Sequence, residues 1–186
     1  FSWALRSFFI HASIIFLSIL ELLISNHEIK NAIKLFADKI NSNYRNKEVI
    51  IIAILKGSVL FLRDLFEYLD FENSIEYIDI SSYKGKNRNE IVSLPFKVNV
   101  KNQNILIIDD ICDTGNTLSF ITNLIKRNNP KSIRTSVLMK KKIQNSIFIP
   151  DDYLFLIPDK FVVGYGLDFN EKYRFLNQIY TLDWII

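Results

Sequence analysis

The sequence predicts an α/β fold in which helices flank a central, mostly parallel sheet. Short apolar runs rich in β-branched residues, such as VIIIAIL at 49–55 and NILII at 104–108, stand between polar flanks. Such runs are typical of strands that are buried on both faces. Segments with helical periodicity separate these runs over short connections. This alternation of strands and helices indicates an α/β protein.

Two predicted helices surround the first of these strands. Before it, Ser25 and Asn26 are candidate caps for a helix with one apolar face. The apolar positions of that helix are Ile29, Ile33, Phe36 and Ile40. After the strand and the turn Lys56-Gly57-Ser58, residues 59–69 have helical spacing.

The rest of the chain continues the alternation. Residues 74–81 alternate like a strand, whereas residues 82–90 are polar and basic and predict a mobile loop. TLSFITNLIKR at 117–127 predicts a helix that ends before a proline. A further strand is predicted within 132–139, and one or two more within 153–167.

Composition indicates one folded cytoplasmic domain. The chain has 186 residues, of which 49% are hydrophobic and 23% charged, and this length suits a single domain. The net charge of +3 is too small to indicate nucleic-acid binding. The single cysteine, Cys112, excludes an internal disulfide and fits a reducing compartment. Without a Cys/His cluster, a structural zinc site is not expected.

The first twenty residues differ from the rest. Arg6 followed by an apolar run over 8–20 resembles a signal peptide or a short membrane anchor. Polar side chains interrupt this run, and Glu21 ends it before it reaches a comfortable spanning length. We therefore favour an accessory helix, or residues upstream of the natural start, over a targeting or membrane segment. The predicted division is an extension of uncertain role at 1–20 and one domain at 21–186.

Residues 109–117, DDICDTGNT, are predicted to form a loop at the carboxyl end of the strand 104–108. Ligands of open α/β sheets bind at that edge. Gly115 permits a tight turn, and the side chains around it can donate hydrogen bonds at the start of the next helix. An anion such as phosphate suits this position. The predicted phosphate-binding residues are Thr114, Gly115, Asn116 and Thr117.

The acids beside this turn need another role, because carboxylates repel phosphate. Asp109 and Asp110 could accept hydrogen bonds from sugar hydroxyls, with or without a magnesium ion. Asp113 lies nearer the turn and could act as a general base. A sugar phosphate satisfies all these groups. The spacing fits neither a P-loop nor an EF-hand, and a mere helix-capping turn would not require three acids.

DDICDTGNT resembles the signature of the type I phosphoribosyltransferases, in which two acids and two further residues precede D-T-G-x-T. KFVVGYGLDFNEKYR at 160–174 and LKGS at 55–58 are similar to the C-terminal segment and the pyrophosphate loop of the hypoxanthine-guanine phosphoribosyltransferases. SSY at 81–83 matches the start of their catalytic loop. The resemblance extends from Leu22 to Leu182. It implies the family's fold, with a small hood formed by the terminal segments.

The resemblance implies transfer of a 5-phosphoribosyl group from 5-phosphoribosyl-1-pyrophosphate to a purine nitrogen. Asp109 and Asp110 would hold the ribose hydroxyls, Asp113 would act as base or acid near N7, and Mg²⁺ would be the cofactor. The implied metal ligands are Asp168, Asp109 and Asp110. The implied donor-binding residues also include Lys56, Gly57, Ser82, Tyr83 and Arg174. In the family the peptide bond before the lysine of the pyrophosphate loop is cis.

The implied purine site favours hypoxanthine and guanine. Lys140 would contact the 6-oxo group, Phe161 would stack on the base, Val162 would offer its backbone, and Asp168 would lie beside them. Without the resemblance, Lys140 would belong to a solvated basic run, and Phe161 and Val162 to an apolar core strand. An ammonium donor accepts a 6-oxo group and rejects the 6-amino group of adenine.

Two features depart from the family pattern. The loop after Tyr83 is short and reads KGKNRNE, and Asp109 stands where purine-specific members usually carry Glu. The alternatives are therefore another base, such as xanthine or a pyrimidine, or a non-catalytic nucleotide-sensing regulator. The resemblance also implies a homodimer or homotetramer. From the net charge of +3 we expect no nucleic-acid partner, and from the interrupted apolar run over 8–20 we expect no membrane association.

Overall fold

The computed structural model describes residues 17–80 and 99–185, and the architecture is the predicted one. A five-stranded parallel sheet has the order β3-β2-β4-β5-β6, and a three-stranded antiparallel sheet has the order β1-β8-β7. The elements are β1 (Leu17–Ile24), α1 (Asn26–Tyr44), β2 (Val49–Leu55), α2 (Val59–Phe66), β3 (Asn73–Asp79), β4 (Asn104–Cys112), α3 (Asn116–Lys126), β5 (Ser132–Lys141), β6 (Asp152–Ile157), β7 (Val162–Val163) and β8 (Ile179–Ile185).

The parallel sheet separates two apolar cores. One face of β2 and β4, carrying Ile51 and Leu106, packs against α1 and α2. The other face, carrying Ile52 and Ile107, packs against Leu118 and its neighbours on α3. Because both faces are covered, β2 and residues 105–108 of β4 are continuously apolar, and this is why their sequence shows no alternation.

The antiparallel sheet is the hood that the sequence implied. β1 pairs with β8 from opposite ends of the chain, and Leu17 lies opposite Ile185. Residues 17–20 therefore form a strand, so the predicted accessory helix is wrong for them; residues 1–16 lie outside the described part. A strand near one terminus depends on a partner about 160 residues away, which local periodicity does not reveal. No helix among the described residues is long and apolar enough to span a membrane.

The helix α1 begins with a capping box. The hydroxyl of Ser25 accepts a hydrogen bond from the Glu28 amide at 3.3 Å, and the Glu28 carboxylate accepts one from the Ser25 amide at 2.8 Å. These reciprocal bonds satisfy amides that have no partner within the helix. Of the two predicted caps, Ser25 is confirmed, and Asn26 is the first residue of the helix.

The strand β4 is longer than predicted. Its ladder with β5 continues past Ile108 and pairs Asp109 with Val137 and Cys112 with Lys140. The paired acids thus lie in the strand and not in the loop, which begins at Asp113. Strand geometry holds the two carboxyls more rigidly than a loop would.

A buried carboxylate joins three elements behind the sheet. Asp152 of β6 accepts hydrogen bonds from Arg134 of β5 at 2.6 and 2.9 Å and from Lys39 of α1 at 2.6 Å. Burial alone would raise the pKa of Asp152, but the hydrogen bonds from Arg134 and Lys39 outweigh it and lower the pKa. The contact stabilises the docking of α1 against the edge of the sheet.

We expect Asp152→Ala to lower the free energy of unfolding by about 3 kcal/mol, because it leaves the partly buried Arg134 without its partner. Asp38→Ala, at an exposed position of α1, is the control and should change stability by less than about 0.5 kcal/mol. Urea denaturation measures both. Since the folded-state pKa of Asp152 is depressed, its contribution is present above the unfolded-state pKa and is lost as pH falls through the folded-state pKa. Equal effects of the two variants would contradict this interpretation.

Candidate active site

A cavity of about 610 Å³ opens at the carboxyl ends of β2, β3, β4 and β5. The start of α3 and the segment between β7 and β8 complete its walls. Ser82 and Tyr83 lie outside the described residues. The predicted site residues that line the cavity are Lys56, Gly57, Asp109, Asp110, Asp113, Thr114, Gly115, Asn116, Thr117, Phe161, Val162, Asp168 and Arg174.

Asp109 and Asp110 form a crowded acid pair at the floor of this cavity. Asp109 is 5% exposed and accepts a hydrogen bond from the Asp110 amide at 2.9 Å. Burial, with the neighbouring charge of Asp110, raises the pKa of Asp109 well above that of an ordinary aspartate. Burial also raises the pKa of Asp110, although bonds from Asp109 and the Ile111 amide oppose it. The pair therefore resists carrying two full negative charges and suits hydroxyl or cationic partners.

Gly57 packs directly against this pair. A Cβ at Gly57 would lie 1.5 Å from a carboxylate oxygen of Asp110, so only glycine fits without displacement. The peptide bond between Leu55 and Lys56 is cis, as the resemblance implied. Lys56 and Gly57 both line the cavity, where an anionic group can approach the lysine side chain and the glycine backbone.

The amino end of α3 forms another wall. The cap residue Gly115 has φ of +86°, and no side chain in the described part of the chain caps this end of the helix. The first amides of a helix have no partner within the helix, and the helix dipole there attracts anions. Asn116 donates a side-chain hydrogen bond to the hydroxyl of Thr114 at 2.8 Å. This geometry supports the predicted phosphate cradle.

One predicted residue needs correction: Lys141, not Lys140, lines the cavity. The side chain of Lys141 is 12% exposed, and its ammonium lies 3.3 Å from Asp113 and 3.1 Å from Asp159. The ammonium of Lys140 lies 5.8 Å from the ring centroid of Tyr153, away from the site. Successive side chains of a strand point to opposite faces, so an error of one residue in register moves a side chain across the sheet.

The opposite wall carries an exposed aromatic ring. Phe161 is 47% exposed and packs edge-on against Phe169 with a centroid distance of 5.7 Å. Val162 is buried, and its strand β7 pairs with β8. An aromatic face left open towards a cavity suits stacking on a planar ring. Phe161 is therefore more than a core residue of an apolar strand.

Arg174 forms ion pairs with two acidic residues of the segment after β7. It lies 2.7 Å from Asp168 and 3.1 Å from Glu171, and it also donates to the carbonyl of Gly166 at 3.0 Å. Glu171 lines the cavity too, and sequence reasoning missed it because an exposed glutamate gives no periodic signal. In residues 17–80 and 99–185 no three acidic, histidine or cysteine side chains come close enough to hold a metal by themselves.

Fold and site together define an α/β protein with a cavity, lined by cationic and acidic side chains and a helix amino end, at the carboxyl edge of its parallel sheet. A family model described as the phosphoribosyl transferase domain matches residues 20–170. The chain belongs to this family, which confirms the resemblance found in the sequence.

Individual relatives agree. The chain is 38% identical to a hypoxanthine-guanine phosphoribosyltransferase of Staphylococcus epidermidis, over 87% of this chain and 93% of that protein. A crystal structure of a hypoxanthine phosphoribosyltransferase from Staphylococcus aureus is similar with a TM-score of 0.77 and 36% identity, over 88% of this chain and 92% of the other. A hypoxanthine-guanine-xanthine phosphoribosyltransferase structure has a TM-score of 0.77 and 29% identity, over 88% and 94%.

We expect Gly57→Ala to lower the free energy of unfolding by about 1–3 kcal/mol, because the added methyl group must displace Asp110. Urea denaturation measures the change. Val59→Ala, at an exposed position two residues further along, serves as the control. The loss should be smaller in an Asp110→Ala background, where the clash with the carboxylate is absent. A Gly57→Ala variant as stable as the wild type would show that the site tolerates a Cβ there.

Proposed function

We propose that the chain transfers the 5-phosphoribosyl group of 5-phosphoribosyl-1-pyrophosphate to hypoxanthine or guanine, giving IMP or GMP and pyrophosphate. The observation that carries the proposal is the contact of Asp113 with Lys141, at 3.3 Å. It brings Asp113, an acid beside the proposed phosphate-binding residues 114–117, next to the ammonium of Lys141, which can donate a hydrogen bond to a purine carbonyl. The names of the relatives support the same substrates.

The proposed positions follow from the chemistry of each wall. The 5-phosphate lies at the amino end of α3, in the cradle of residues 114–117. The ribose hydroxyls donate hydrogen bonds to Asp109 and Asp110. Because burial raises the pKa of both carboxyls, they do not readily carry two full negative charges that would repel the phosphate. The purine stacks on Phe161, with its 6-oxo group accepting a hydrogen bond from Lys141 in place of the predicted Lys140.

In the proposed reaction, a purine ring nitrogen forms the new bond to the anomeric carbon, and Asp113, near N7, accepts the ring proton that the purine loses; in the reverse direction it donates that proton as the acid. The bond from that carbon to pyrophosphate breaks, and the pyrophosphate leaves with the electron pair. Positive charge develops on the ribose in a loose, oxocarbenium-like transition state. Lys56, Arg174 and the amide of Gly57 stabilise the departing diphosphate.

Magnesium fits this site only with help from the substrate. Asp168 offers the carboxylate oxygen that Mg²⁺ prefers, and the described acids form no ready-made cluster of three. We therefore propose that Asp168, together with Asp109 and Asp110, would hold the ion when the donor is bound. Bound magnesium neutralises charge on the leaving group.

The proposal includes two further expectations. The protein works in the cytoplasm, which its one free and buried cysteine supports. It assembles as a homodimer or homotetramer, which light scattering after size-exclusion chromatography would measure.

The direct test is pyrophosphate release from the donor with Mg²⁺ and a panel of hypoxanthine, guanine, xanthine, adenine and a pyrimidine. We expect activity with hypoxanthine and guanine. Asp113→Asn should lower kcat roughly a hundredfold or more, because the amide cannot accept the proton. If the protein binds nucleotides but releases no pyrophosphate with any base, the result would favour a non-catalytic regulator. Release with xanthine or a pyrimidine alone would favour the alternative specificity.

The two lysines provide a matched pair of variants. We expect Lys141→Ala to lower kcat/KM for hypoxanthine roughly tenfold to a hundredfold, the usual effect of losing a hydrogen bond from a charged donor. Lys140→Ala should stay near the wild type, because its ammonium lies outside the cavity. Steady-state kinetics with varied hypoxanthine measures both. The reverse ranking would contradict the assignment of Lys141 to the base.

A further inference from the structure

Beneath the cavity, a buried tyrosine and a buried aspartate are joined by a hydrogen bond that the proposed mechanism does not use. The hydroxyl of Tyr165 donates to a carboxylate oxygen of Asp64 at 2.6 Å. Tyr165 is 1% exposed and Asp64 is 6% exposed. Neither residue lines the cavity; Tyr165 lies next to Gly166, which does, and Asp64 lies on the helix that follows Lys56 and Gly57, which do.

The two partners connect two parts of the cavity wall, one at Lys56 and Gly57 and the other at Gly166 and Arg174. Asp64 lies on α2, the helix that begins directly after Lys56 and Gly57. Tyr165 lies beside Gly166, where a Cβ would come within 2.1 Å of the carbonyl oxygen of Gly57. The backbone at Gly166 therefore lies directly against the backbone at Gly57. The Asp64–Tyr165 hydrogen bond is a second link between the same two segments.

The backbone of Tyr165 and Gly166 is hydrogen-bonded to the segment that carries Arg174. The amide of Tyr165 donates to the carbonyl of Leu176 at 2.8 Å, and the amide of Gly166 donates to the carbonyl of Arg174 at 2.9 Å. The guanidinium of Arg174 returns a bond to the Gly166 carbonyl at 3.0 Å and pairs with Asp168 at 2.7 Å. A shift of Tyr165 would therefore move Arg174, and with it Asp168.

The energetics favour a firm link. A hydrogen bond from a phenol to an ionised carboxylate in a buried place is among the strong ones. Arg63 donates to the other oxygen of Asp64 at 2.6 Å and balances its charge. Burial, and then the neighbouring Asp64, raise the pKa of Tyr165, so the phenol keeps its proton and remains a donor.

We propose that the Asp64–Tyr165 hydrogen bond is a positioning device that sets Gly166 and Arg174 against Lys56 and Gly57, so that the two walls bind a diphosphate as one rigid unit. The identity of the ligand rests on the proposed function. Tyr165 and Asp64 act through these neighbours and do not themselves touch the ligand.

The experiment compares Tyr165→Phe with the full-length wild type. The substitution removes one hydroxyl and keeps the ring. Tyr44→Phe is the matched control, because Tyr44 is likewise a buried tyrosine but packs against Phe71 at the far end of α1. Asp64→Asn retains a neutral oxygen acceptor and should fall between Tyr165→Phe and the wild type.

Two readouts are needed. Without ligand, hydrogen–deuterium exchange in Tyr165→Phe should speed up in peptides covering 55–58 and 164–168, while α3 exchanges as in the wild type. With Mg²⁺ present, calorimetric titration with inorganic pyrophosphate should give a dissociation constant roughly tenfold higher, within the range expected for one charge-assisted hydrogen bond. Tyr44→Phe should change neither.

Three results for Tyr165→Phe would overturn the proposal. The first is that neither exchange nor pyrophosphate affinity changes, and the second is that exchange rises evenly over the chain while pyrophosphate binds as before. The third is that exchange rises in 164–168 but not in 55–58. A wild type that does not bind pyrophosphate would count against the proposed function instead. In that case the exchange at 55–58 still decides whether the bond couples the two walls.

Discussion

Gly57 lies at a point where three parts of the chain meet with no room for a side chain. On one side a Cβ would reach the carboxylate of Asp110 at the end of β4, and on the other the carbonyl of Gly57 touches Gly166. This close approach holds the ends of β2 and β4 and the segment after β7 around one cavity. Protein interiors have few voids, so such contacts transmit a shift in one wall to the others.

The charges of the cavity are arranged around that contact. Buried acids lie at its floor, cations at its rim and an uncapped helix end on one wall. Asp109 has the like charge of Asp110 beside it, whereas the guanidinium of Arg174 is already paired with Asp168. A ligand with hydroxyls, phosphates and a planar carbonyl-bearing ring satisfies them together. A phosphoribosyl donor and a 6-oxopurine have that combination.

Local patterns predicted the inner strands and the turn before α3, because burial on both faces and turn chemistry leave clear signals in β2, β4 and residues 114–117. The pairing of β1 with β8 was not predictable in register, since it joins the two ends of the chain. Lys141 was missed for a related reason: residues 135–139 are buried on both faces, so no alternation shows which of three lysines faces the cavity. Only the pairing register of β5 with β4 shows which lysine faces the cavity.

The central claim is that one cavity holds a purine nucleotide with its base at Lys141 and its phosphate at α3. A crystal structure of the chain with GMP tests it most directly. We expect the 6-oxo oxygen within hydrogen-bond distance of the Lys141 ammonium and the phosphate against the amides of residues 114–117. A base bound at Lys140, or a phosphate placed away from α3, would contradict the assignment.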